Sequence, residues 1–193
     1  MSDWESILSP RSSQLFDPDE SRLEVIQQTF DGTSHGKIYS FKNTERLANW
    51  SAVDISSTMI TTCGQLQEHH KNTKSSTTYI YIIRQAHTWG HMKITKELAC
   101  MLLSLYDVCH RFWECISCFG YRENDDDNVW EGIHTAVRER DSNDGIATDY
   151  ELCYLFRYMT ENGRATGSPW SLRQSAVYQS FELNDEKEIW ILI

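Results

Sequence analysis

The chain has 193 residues, 40% hydrophobic and 24% charged, with seven Trp and nine Tyr; at about 100–200 residues per domain this is one ring-rich core and not two. A net charge of -10 and a pI near 5.1 argue against nucleic acid and anionic lipid as partners, because both need clustered Lys and Arg; cations or basic partners fit better. Met1-Ser2-Asp3-Trp4-Glu5 lacks the basic start of a signal peptide and no run of 18 apolar residues occurs, so the expectation is a cytoplasmic protein without a membrane span.

Residues 1–20, with Pro10 and Pro18 and no sustained periodicity, predict an irregular N-terminal segment draped over the core through Trp4, Leu8 and Phe16; residues 21–193 make the domain. Leu23, Val25, Ile26 and Phe30 suit a short helix or strand, Lys37 to Phe41 a strand, and Ser51 to Ile60 either. The polar stretch His69 to Thr78 predicts a loop into the clearest strand, Tyr79 to Gln85. From Thr95, a capping residue, apolar positions at helical spacing (Leu98, Leu102, Leu105, Val108, Phe112, Ile116, Phe119) predict one long apolar helix near 95–119, ended by Gly120 and carrying an Asp107–Arg111 pair on its polar face. Tyr150 to Tyr158 alternates as a strand, Asn162 to Pro169 reads as a loop, and Ser171 to Leu183 with Glu188 to Ile193 reads as a terminal hairpin. The expected fold is mixed α/β (α+β): a single domain with a mixed sheet packed against helices.

Few patterns carry chemistry. His87 and His91 have the spacing of two histidines sharing a metal on a helix, but they follow a β-branched strand, flank Gly90 and lack the glutamate of a zinc-protease motif. Cys115-Ile116-Ser117-Cys118 lies late in the apolar helix and reads as buried structural thiols; with Cys63, Cys100, Cys109 and Cys153 these are reduced cysteines of a cytosolic protein. The acidic run Glu123, Asp125, Asp126 and Asp127 offers hard oxygen ligands for Mg2+. Asp141 to Gly145 fails as a calcium loop, since Gly145 is one position early and Leu152 stands where a bidentate Glu belongs. No phosphate loop, dinucleotide turn or nucleophile elbow is present.

Pro169-Trp170-Ser171-Leu172-Arg173-Gln174-Ser175-Ala176-Val177-Tyr178 resembles a motif of fungal CorA-like domain proteins. His87 to Ile94 with the helix from Thr95, Phe119-Gly120-Tyr121 with its acidic loop, and Tyr150 to Arg157 before Gly163-Arg164 are similar to blocks in the same order in that family. The resemblance implies a cytosolic domain like the N-terminal part of CorA-type magnesium transporters, without the Gly-Met-Asn pore signature, and so not itself a transporter. The first expectation is a non-enzymatic regulatory or partner-binding domain sensing divalent cations. The second is a small enzyme of fungal specialised metabolism, with His87, His91, Arg173 and Tyr178 converging on a small-molecule pocket. The third is a homo-oligomeric interaction module burying rings such as Trp130 or Trp190.

Overall fold

The computed structural model describes residues 4–19, 21–29, 54–73, 77–85, 90–120, 132–142, 145–183 and 187–193. Seven strands, β1 (Leu23–Thr29), β2 (Asp54–Ile60), β3 (Thr77–Ile83), β4 (Ile133–Ser142), β5 (Gly145–Glu161), β6 (Trp170–Glu182) and β7 (Lys187–Leu192), form one mixed sheet in the order β2-β1-β3-β7-β6-β5-β4. Only β3 and β7 run parallel, with Tyr79 opposite Ile189 and Tyr81 opposite Ile191. Their pairing joins the sequence-early half of the sheet to the sequence-late half. Both are rich in β-branched and aromatic residues, as interior strands require. The terminal hairpin and the Tyr79 strand take the expected form, and the segments ending at Thr29 and Ile60 resolve as strands. The expected strand Lys37 to Phe41 lies outside the described residues.

Alternation along the strands divides the sheet into two unlike faces. One carries Leu23, Val25, Tyr79, Tyr81, Ile83, Ile189, Ile191, Ala176, Tyr178 and Cys153, all buried beneath the helices. The other carries Ile80, Ile82, Trp190, Leu192, Tyr154, Phe156 and Tyr158, none of them fully buried. The rings of β5 therefore face away from the helical layer, while Glu151 and Cys153 turn toward it.

The long apolar helix is replaced by two short ones, α4 (Lys96–Leu105) and α5 (Phe112–Ile116). Thr95 caps α4 as expected, its hydroxyl accepting from Leu98 N–H. At the other end Asp107 takes a positive φ of 46°, and the Asp107 and Val108 amides donate back to Ser104 and Leu103 carbonyls at 3.3 and 3.0 Å. This is a Schellman ending, with buried Val108 against buried Leu103 completing it. Aspartate tolerates the left-handed region better than most residues, so the helix stops without a glycine to announce it. The Asp107–Arg111 pair does not form: Asp107 pairs with Arg138 and Arg111 with Glu114.

Two further segments correct the sequence expectation. The start of the supposed loop at His69 is the end of a helix, α3 (Cys63–Lys71), whose Thr62 hydroxyl accepts from Gln65 N–H at 3.2 Å while the Gln65 carboxamide accepts from Thr62 N–H. The N-terminal segment is not irregular: it forms α1 (Trp4–Leu8), which packs on α4, a 3-10 turn (Ser9–Arg11) and α2 (Ser12–Leu15), and it buries Trp4, Leu8, Leu15 and Phe16. Main-chain bonds between Leu15, Asp17 and Met92 tie this segment to the approach to α4.

Candidate functional site

The most elaborate polar arrangement lies where the helical layer meets β4, β5 and β6. Glu151 is on the covered face of β5, its side chain 1% exposed. A carboxylate so placed needs a cation and donors. Arg138, diagonally across on β4, supplies the cation through Nη2, and Tyr178 on β6 donates its hydroxyl at 2.5 Å. Arg138 Nη1 also donates to Asp107 Oδ2 at 2.8 Å, and Nη2 to the Asp107 carbonyl at 2.8 Å. The guanidinium thus clamps the Schellman turn of α4 onto the sheet. Burial lowers its proton affinity, but the Glu151 and Asp107 carboxylates outweigh that and hold it above its ordinary range. Burial, then the Glu151 charge, pushes the Tyr178 phenol far up, so it stays a neutral donor.

Beside this cluster lies a cavity of about 110 Å³ lined by His70, Tyr106, Asp107, Arg138, Asp149, Ser180, Glu182 and Lys187, with Leu105, Phe181 and Ile189 as apolar wall. The His70 ring meets Tyr106 edge-on at 5.1 Å, and the Lys187 ammonium lies 5.5 Å from the same ring. Tyr106 bonds Tyr81, which also contacts His69 Nδ1 at 3.3 Å.

Burial, followed by neighbouring charge from His70 and Lys187 for His69 and from Lys187 for His70, lowers the proton affinity of both imidazoles. The folded state therefore binds fewer protons than the unfolded chain below pH 6.5, their ordinary value. Their contribution to stability is complete above that pH and is lost as pH falls below it. Thermal melts taken from about pH 7.5 to about pH 5.5 are expected to show a falling midpoint, and the fall is expected to be smaller in a His69→Gln, His70→Gln variant.

Two members of the sequence-derived catalytic set, Tyr178 and Arg173, do not meet. Tyr178 faces the helices, whereas Arg173, five residues earlier on β6 and about 17 Å along the strand, faces the other way. Arg173 lines a separate cavity of about 330 Å³ with Arg84, Gln85, Tyr158 and Gln174, at the end of the parallel β3–β7 pair. His91 is exposed, and His87 lies outside the described residues, as do Glu123, Asp125, Asp126, Asp127 and Trp130. Among the described residues no group of three or more His, Cys, Asp or Glu is placed to hold a metal ion. All six cysteines are free thiols, four of them buried. Cys109 and Cys153 stand 4.0 Å apart. Cys153 is pushed up to about 12, its bonds with Cys109 lowering it and those with Cys115, together with burial, raising it. Arg138 and Glu151 escaped the sequence reading and Asp107 was assigned to Arg111, since nothing in their spacing relates residues 107, 138 and 151.

The second distinctive surface is a ribbon. β4 leaves β5 at Tyr154, paired with Ile133, and β7 joins β6 only from Ala176. Among the described residues, the strand segments 155–161 and 170–175 thus pair only with each other. Phe156, Tyr158, Met159, Trp170 and Leu172 on this ribbon are each 43–58% exposed, and Phe156 stacks on Tyr158 at 5.7 Å. Ile133 and Val137 on β4 and Tyr150 further along β5 are exposed as well.

Among the described residues no helix is long and apolar enough to cross a membrane. No curated protein and no solved structure matches the chain. A family model described as CorA-like transporters matches residues 1–193. With that match spanning the whole sheet and its helical layer, the chain belongs to the CorA-like family.

Proposed function

We propose that this chain is a regulatory, partner-binding domain of the CorA-like family, that it works by docking and not by catalysis, and that its partner is a second copy of itself. The carrying observation is the ribbon. A two-stranded ribbon is marginal alone in water, and one with apolar side chains on both faces invites a partner. Its charge selects which. Residues 155–175 hold Arg157, Arg164 and Arg173 against Glu161, a local +2 in a chain of -10, which leaves -12 elsewhere. A second copy offers both the acidic body that attracts this arm and the apolar open face that receives it. Divalent-cation sensing would rest on the acidic run Glu123 to Asp127 and the overall charge. With those residues outside the described part, docking is the reading supported by geometry.

Sedimentation across a concentration series is expected to show a monomer–dimer equilibrium that weakens with added salt, with Trp emission shifting to the blue as Trp170 is covered. A Phe156→Ser, Tyr158→Ser variant is expected to stay monomeric while melting within a few degrees of the parent, because exposed substitutions cost about 0.5 kcal/mol or less. A parent chain that sediments as a monomer throughout, with unshifted emission, would overturn the proposal.

A further inference from the structure

Two of the chain's three prolines follow a serine, Ser9-Pro10 and Ser168-Pro169, and the fold places the two hydroxyls differently. Ser9 opens the 3-10 turn between α1 and α2, next to fully buried Leu8, and its hydroxyl accepts from the Lys96 ammonium at 2.8 Å. Ser168 lies in the loop 162–169 that joins β5 to β6 at the tip of the ribbon, where every residue from Gly163 to Pro169 is exposed. Its hydroxyl makes long local bonds, accepting from Trp170 N–H at 3.3 Å and donating to the Trp170 carbonyl at 3.4 Å. Pro169 biases the residue before it toward extended backbone and has no N–H of its own to satisfy. An exposed, extended segment with a hydroxyl just before a proline is what the cleft of a proline-directed protein kinase accepts.

Charge gives this hydroxyl a consequence. The ribbon carries +2 in a chain of -10. A phosphoserine brings about -1.5 to -2, enough to cancel the local charge that draws the arm to an acidic body. Arg164, exposed in the same loop, has no side-chain partner among the described residues, and with Trp170 N–H it offers the phosphate charge-assisted donors at the tip. We infer that Ser168 is a phosphorylation site for a proline-directed protein kinase, and that its phosphate dissociates the self-docked pair. The step is a phosphoryl transfer from ATP: Ser168 Oγ bonds the γ-phosphorus as the bond from that phosphorus to the β–γ bridging oxygen breaks, the hydroxyl proton passes to the kinase's base, and ADP leaves. The effect on assembly rests on self-docking through the ribbon; the site does not.

The test treats the full chain with ATP, Mg2+ and an active mitogen-activated protein kinase, maps the phosphate by mass spectrometry of proteolytic peptides, and sediments both forms across a concentration series at low and high salt. Phosphate is expected on Ser168 and not on Ser9. The dimer dissociation constant is expected to rise about tenfold or more at low salt, with the difference shrinking as salt screens the ribbon. Ser168→Ala, treated in the same way, is expected to take no phosphate at the tip and to dimerise as the untreated parent does. No phosphate on Ser168, or phosphate entering Ser9 as readily, would overturn the site. Phosphate on Ser168 with an unchanged dissociation constant would overturn its effect. An untreated parent that sediments as a monomer at every concentration would instead overturn self-docking, a failure seen before any kinase is added and so distinct from the other two.

Discussion

Arg138→Met is expected to destabilise the native state by about 3–5 kcal/mol, the cost of leaving a buried charge without its partner. Glu151 is the charge in question, with Tyr178 as its remaining donor. The same substitution releases Asp107 and its carbonyl, so the turn after α4 loses its attachment to β4. Because a domain of this size is stable by only about 5–15 kcal/mol, the urea midpoint is expected to fall by about a fifth or more. The companion variant Arg138→Met, Glu151→Gln removes the charge together with its partner, and it is expected to recover most of the loss while Tyr178 still donates to the carboxamide. A double variant no more stable than Arg138→Met would show that the guanidinium acts through packing and the Asp107 clamp, not through Glu151.

Gly120→Ala is expected to cost about 2–5 kcal/mol, combining a left-handed backbone with a steric clash. Gly120 has a φ of +82°, and a Cβ there would stand 2.3 Å from the Gln14 carbonyl oxygen and 3.1 Å from Leu15 Cα. Both are backbone atoms of the buried N-terminal helical segment, which is also held by Arg11 donating to the Ser117 carbonyl at 2.7 Å. Neither side can yield without pulling Leu15 from the core. Gly163 is the control: its φ of +68° carries the same backbone strain, but nothing lies within 4 Å of its Cβ. Gly163→Ala is expected to cost about 1 kcal/mol, so the difference between the two midpoints measures the close approach alone.

Much of the sheet was legible because strand alternation survives in single sequences: Tyr79, Tyr81 and Ile83 declare β3, and Ile189 and Ile191 declare β7. What alternation does not reveal is which face meets the core. The rings of β5 look like core residues, yet the inward positions belong to Asp149, Glu151 and Cys153. Helix boundaries failed for a comparable reason. Val108, Phe112 and Ile116 keep a helical apolar spacing through a turn where Asp107 replaces the usual glycine. α3 buries only Leu66, so its sequence is polar enough to pass for a loop, and the signal that identifies it is the Thr62–Gln65 capping pair. The site was least legible. Arg138, Asp107 and Glu151 come from a strand, a helix end and another strand, and tertiary structure alone brings them together.

The position of β7 bears on how the molecule is made. The strand synthesised last of the seven lies fourth in the sheet, between β3 and β6. Until it arrives, a ribosome has produced two separate three-stranded pieces, β2-β1-β3 and β6-β5-β4, each with an apolar inner edge open to other nascent chains. Among the described residues nothing earlier in the sequence closes that gap, because β3 and β6 do not pair with each other. Assembly therefore waits on residues 187–192, and the interval before they emerge is when the chain most needs a chaperone.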